Sequence, residues 1–140
     1  MEIEDIMYDD WLEFPHGYDK AMGVHVKDYE VVVDWLLDQG IVSEKIENVN
    51  PIPLSKEIIF KMGLFVDGDN YRYTSLGIQN YDRKHYFTIE IIDYGLDGYG
   101  LYVGHVDGEN SYTYENKHIE YVHEVQHALH DCKVKFEFEL

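Results

Sequence analysis

Basic residues are scarce in this chain: 11 Lys and Arg stand against 28 Asp and Glu, a formal net charge of −17 over 140 residues. That deficit weighs against direct binding of nucleic acid or of an anionic membrane surface, because both require basic patches. Cysteine is almost missing. Cys132 alone cannot close an internal disulfide, so the expected setting is the reducing cytoplasm. No apolar run approaches the roughly 18–20 residues that span a bilayer. The opening Met1-Glu-Ile-Glu-Asp-Ile6 is acidic where a signal peptide is basic, which argues against secretion.

What is abundant is aromatic. The 13 Tyr, 6 Phe and 2 Trp, within 45% apolar residues, argue for a folded core rather than a disordered acidic tail. A single domain over residues 1–140 is the expectation, built from an acidic strand-rich module at 1–50 and a second part at 51–140. The charge is uneven. Residues 1–50 hold 13 acids and 3 bases, 51–100 hold 7 and 5, and 101–140 hold 8 and 3.

Periodicity and turn residues predict the elements. Trp11–Phe14 and Gly23–Lys27 are short strands, with a turn at Pro15-His-Gly17. Tyr29–Leu37 is rich in β-branched residues and turns at Asp38-Gln-Gly40 into Ile41–Ile46. A hairpin is favoured over a helix through Val31–Leu37, although so short an apolar run fits both periods. Ser55 then caps a short helix with Glu57 in its first turn, Gly63 after its end, and Ile58, Ile59 and Met62 as its buried stripe.

A meander follows. Leu64–Val66 and Tyr71–Thr74 form a hairpin around Asp67–Asn70, and Phe87, Ile89 and Ile91 alternate along a half-buried strand. Leu101 and Val103 begin a strand that turns at Asp107–Asn110 into Ser111–Tyr114, while Gly95, Gly98 and Gly100 read as a turn rather than a phosphate loop. A second helix is expected from Glu115 or Asn116 to about Cys132. Alternation at Val134, Phe136, Phe138 and Leu140 predicts a final strand paired with the main sheet. The fold class is therefore α+β: a twisted, mainly antiparallel sheet with two helices and a small SH3-like or barrel-like N-terminal half.

One motif carries potential chemistry. His123-Glu-Val-Gln-His127 fits H-E-x-x-H, in which histidines at i and i+4 hold Zn²⁺ and the glutamate polarises its water. His123 and His127 are the candidate metal ligands and Glu124 the candidate base. A third protein ligand is required, and His130 does not have the spacing of the extended motif, leaving His85, His105 or an upstream acid. On a helical wheel His123 and His127 fall opposite Val122, Val125 and Leu129, as on the solvated face of an ordinary acidic helix. The expectation is therefore no catalytic residue and no cofactor, with zinc and this triad as the alternative.

Two segments carry a resemblance. Asn50-Pro-Ile-Pro-Leu-Ser-Lys-Glu-Ile-Ile-Phe-Lys-Met-Gly-Leu64 and Val122-His-Glu-Val-Gln126 resemble the P-I-P-L and V-H-x-L-Q segments of short, uncharacterised proteins from prophages and mobile elements of gut bacteria. The start, Glu4–Trp11, is also similar, without the Ile-Gly that commonly precedes its Asp-Trp pair. The resemblance implies a mobile-element origin and residence inside the host cell, and attaches no catalytic role to any position. It also implies that His127 is replaceable.

Charge and resemblance together suggest a small, acidic, non-enzymatic interaction protein. Glu4, Asp5, Asp9, Asp10 and Glu13 are the expected acidic face. Its partner would be a basic protein surface, with imitation of nucleic acid against a host or defence protein as the specific form. The alternatives are a zinc-dependent hydrolase using His123, Glu124 and His127, and a self-associating virion or scaffold component.

Overall fold

A computed structural model describes residues 5–37, 40–68, 71–75, 78–82 and 85–140. The chain divides into two compact units: residues 1–53 with 121–123 and 140, and residues 54–120 with 124–139. The fold is α+β and the sheets are antiparallel, as the periodicity predicts.

The first unit contains β1 (Trp11–Phe14), β2 (Gly17–Lys27), β3 (Glu30–Leu37), β4 (Gly40–Lys45) and β5 (Asn50–Pro51). Their order is β4-β3-β2-β1-β5, with a 3₁₀ turn at Ile46–Asn48 carrying the chain from β4 to β5. The long β2 makes this order possible. Trp11 pairs with Lys20 on one side, and Ala21 onward pairs with β3 on the other, with a register shift between Ala21 and Gly23. Such an irregularity bends a strand so that it can serve two sheets. Leu12, Phe14, Ala21, Val33, Trp35 and Val49 fill the interior. The expected hairpin of β3 and β4 is present, with Leu36 opposite Ile41 and Leu37 opposite Gly40. Asp38 and Gln39, its expected turn, lie outside the described residues.

The second unit begins with α1 (Lys56–Lys61). Ser55 accepts a hydrogen bond from the Ile58 N–H at 3.2 Å, satisfying one of the donors that a helix start leaves open. The far end closes as a Schellman motif. The Gly63 N–H donates to the Phe60 carbonyl, that of Leu64 to Ile59, and Gly63 takes φ 93°. Ile58, Ile59 and Met62 are buried, so the expected stripe is the real one.

A sheet ordered β11-β10-β9-β7-β6 follows, built from β6 (Phe65–Val66), β7 (Arg72–Thr74), β9 (His85–Asp93), β10 (Tyr99–Asp107) and β11 (Asn110–Ile119), with β8 (Ile78–Asp82) also on β9. Tyr73, Ile91 and Leu101 stand in register on one face and are almost fully buried. Asp69 and Asn70, from the expected β6–β7 turn, lie outside the described residues.

Two expectations are corrected here. The second helix does not start at Glu115 or Asn116. Residues 115–119 continue β11 along β10, with Asn116 opposite Tyr102 and Ile119 opposite Tyr99, after a register shift at Val103 and Gly104. The long partner strand outweighs local helix preference in this segment. The helix, α2, is Val122–Asp131. Its C-terminus is again a Schellman arrangement, with Lys133 at φ 59° and the Val134 N–H donating to the Leu129 carbonyl.

The final segment is the second correction. Residues 134–140 form no strand. Their alternation is nevertheless genuine. Val134 and Phe138 are buried, Phe136 and Leu140 are half-buried, and Lys135, Glu137 and Glu139 are exposed. The period of two here records alternate burial of an extended chain, which does not require a ladder of backbone hydrogen bonds.

Candidate functional site

The acidic module is the first candidate. Its unit holds 13 acids and 3 bases, whereas the larger second unit holds 15 and 8. Of the five acids expected to form a face, Asp5, Asp9 and Glu13 are exposed, and Glu4 lies outside the described residues.

Asp10 is a correction: it is 1% exposed and presents no carboxylate to a partner. Its Oδ2 accepts the Met7 N–H at 2.7 Å. Its carbonyl accepts from the Ala21 N–H, and the neighbouring Asp9 N–H donates to the Ala21 carbonyl, both at 2.8 Å. Asp10 therefore fastens the N-terminal segment onto β2. The Asp9-Asp10 pair looked uniform in sequence, but Asp9 turns at φ 68° and the two carboxylates part company.

Tyr29 is the most prominent aromatic of this unit. It is fully exposed and sits with Asp28 at the β2–β3 turn, where φ is 65° and 52° respectively. Two successive positive φ values match the right-handed twist of a hairpin, but Asn-Gly is the usual occupant. A bulky ring held there, between Asp28 and Glu30, is an aromatic contact projecting from an acidic setting. Two histidines and a lysine approach acids in the same unit. His25 Nδ1 lies 3.0 Å from Asp34, His16 Nε2 lies 3.3 Å from Asp19, and Lys45 Nζ lies 3.3 Å from Glu30. Lys20 stands over the Trp11 ring at 5.5 Å.

The H-E-x-x-H motif occupies the start of α2. Glu124 Oε1 accepts the Glu120 N–H at 2.9 Å, so this side chain reaches back to the backbone just before the helix. His123 was expected on a solvated face and is instead only 7% exposed, stacked on Tyr121 at 5.8 Å and 15°. The backbone explains this departure from the wheel. The Val122 N–H donates to the Ile52 carbonyl, and Tyr121 bridges to Pro53, so the first helical turn is held against residues 52–53. His127 is half-buried. Among the described residues, no three His, Cys, Asp or Glu side chains are grouped to hold a metal ion.

The tyrosines show the clearest electrostatic response. Burial, then the charge of Asp93, pushes the Tyr73 phenol above its usual range. Burial followed by Asp93 does the same at Tyr99. At Tyr94 the leading cause is its hydrogen bond with Tyr102, whose hydroxyl lies 3.2 Å away. Unfolded tyrosines lose their protons at lower pH than these, so alkali favours the unfolded state. Urea denaturation above pH 10 should show stability falling as pH rises, and Tyr73→Phe should flatten that slope. An unchanged slope in the variant would remove Tyr73 from this account.

No protein-family model, curated protein or solved structure matches this chain. Among the described residues no helix is long and apolar enough to cross a membrane.

Proposed function

We propose that the chain is a small, non-enzymatic interaction protein of phage or mobile-element origin, whose SH3-like N-terminal unit engages a basic macromolecular surface. The single observation that carries this is the concentration of acids in that unit, 13 against 3 bases, with Asp5, Asp9 and Glu13 exposed. Surplus charge of one sign on a folded scaffold raises encounter rates with the opposite sign and orients the partner. Tyr29, between two acids, supplies the aromatic contact that favours arginine. The partner class is a basic nucleic-acid-binding protein of the host cell or its defences, met by a surface that imitates nucleic acid. The mobile-element origin rests on the resemblance at Asn50–Leu64 and Val122–Gln126.

The test is a binding screen against basic nucleic-acid-binding proteins at several salt concentrations. Affinity should fall steeply between low and physiological salt, because exposed charges are screened over about 8–10 Å. The triple variant Asp5→Asn, Asp9→Asn, Glu13→Gln should weaken association by about tenfold or more. Binding indifferent to salt, or no binding to any such protein, would overturn the reading.

A further inference from the structure

We propose that the outer face of the second unit's sheet is a binding site for a neutral saccharide. An open cleft of about 480 Å³ lies there, lined by residues of the β9–β10 connection, β10 and β11. Its floor is aromatic, and its geometry depends on one glycine. A Cβ added at Gly100 would stand 2.7 Å from the Tyr94 Cε2, so only glycine lets the Tyr94 ring lie against β10. The Tyr94 hydroxyl meets that of Tyr102 at 3.2 Å, and the Tyr94 ring centroid lies 6.0 Å from that of His118. Tyr94 remains 43% exposed, so part of the positioned ring is available to a ligand.

The lining selects the ligand class. Asp97, Asn116 and His118 offer planar donors and acceptors around the tyrosines. Sites for apolar ligands are mainly hydrophobic and enclosed, and this one is neither. Anions are disfavoured by the −17 charge of the chain. An uncharged polyol ring suits this lining: its C–H face packs on a tyrosine, and its hydroxyls satisfy the polar rim. Glycoside hydrolysis ordinarily needs two carboxylates, and Asp97 is the only one in the lining. The inference is therefore of binding, without cleavage.

The experiment is a glycan-array screen of the full chain, followed by NMR titration with the neutral sugars that score, and with cellotetraose and maltotetraose in every case. AMP and argininamide serve as anionic and cationic probes. At least one neutral glycan should give saturable shifts at Tyr94, Tyr102 and His118, and neither charged probe should shift them. Tyr94→Ala should weaken that binding by about tenfold, the scale of one well-placed aromatic contact. Gly100→Ala should do likewise by displacing the ring, with the rest of the spectrum unchanged. The Asp5→Asn, Asp9→Asn, Glu13→Gln variant should bind sugar normally, which separates this site from the acidic unit. Silence of every neutral glycan at these residues, or saturation by AMP or argininamide instead, would overturn the proposal.

Discussion

Leu101→Ala should cost about 3 kcal/mol of stability, within the range for emptying a leucine site in a packed core. Leu101 is fully buried in the centre of the second unit's sheet, in register with Ile91, also fully buried, on β9. Tyr73 continues the same row on β7. Strands on both sides hold this position, so the surrounding residues can close over the lost methyl groups only in part. For a chain of this size the melting temperature should fall by roughly 10 °C. One residue further along β10, side chains point to the opposite face, where Tyr102 is opposite the exposed Asn116. Asn116→Ala should therefore change stability by less than about 0.5 kcal/mol. Comparable losses for both variants in thermal melts would contradict the assignment of faces.

Asp10→Ala should be the costliest change among the acids of the N-terminal unit, at about 2–3 kcal/mol. A buried carboxylate that accepts a backbone N–H leaves that donor stranded when it is removed. Here the donor is the Met7 N–H, 2.7 Å from Oδ2, and the site is 1% exposed. Asp10→Asn keeps an acceptor oxygen and should lose less. By contrast, neutralising Asp5, Asp9 or Glu13 removes exposed repulsion and should leave stability unchanged or slightly improved. Chemical denaturation of the five single variants checks this ordering. If Asp10→Ala melted with the native chain while losing partner affinity, Asp10 would belong to the binding surface after all.

The contrast between Asp9 and Asp10 shows how little of the candidate site can be read from residue types. Adjacent aspartates carry the same charge and the same propensity. Which of them turns inward depends on where β2 passes, since both backbones meet Ala21, eleven or twelve residues further on. His123 repeats the lesson. The wheel of α2 sets it opposite the apolar stripe, yet the first turn is held at Ile52 and Pro53 and the ring is buried. Tyr94 and Gly100 are similar in kind: three glycines in a short run announce a turn, and none of them announces that one accommodates an aromatic ring.

Local information alone determined a good deal: the Ser55-capped helix with its Gly63 stop, the hairpin of β3 and β4, the alternation along β9, and the α+β class. In each case the physical cause lies within a few residues, as a cap, a turn or a side-chain period. Tertiary structure decided the rest. Residues 115–119 became strand because β10 offers them a full ladder, and residues 134–140 kept their alternating burial without forming a strand. Pairing and burial depend on what stands opposite, and no window of sequence contains its own neighbour across the sheet.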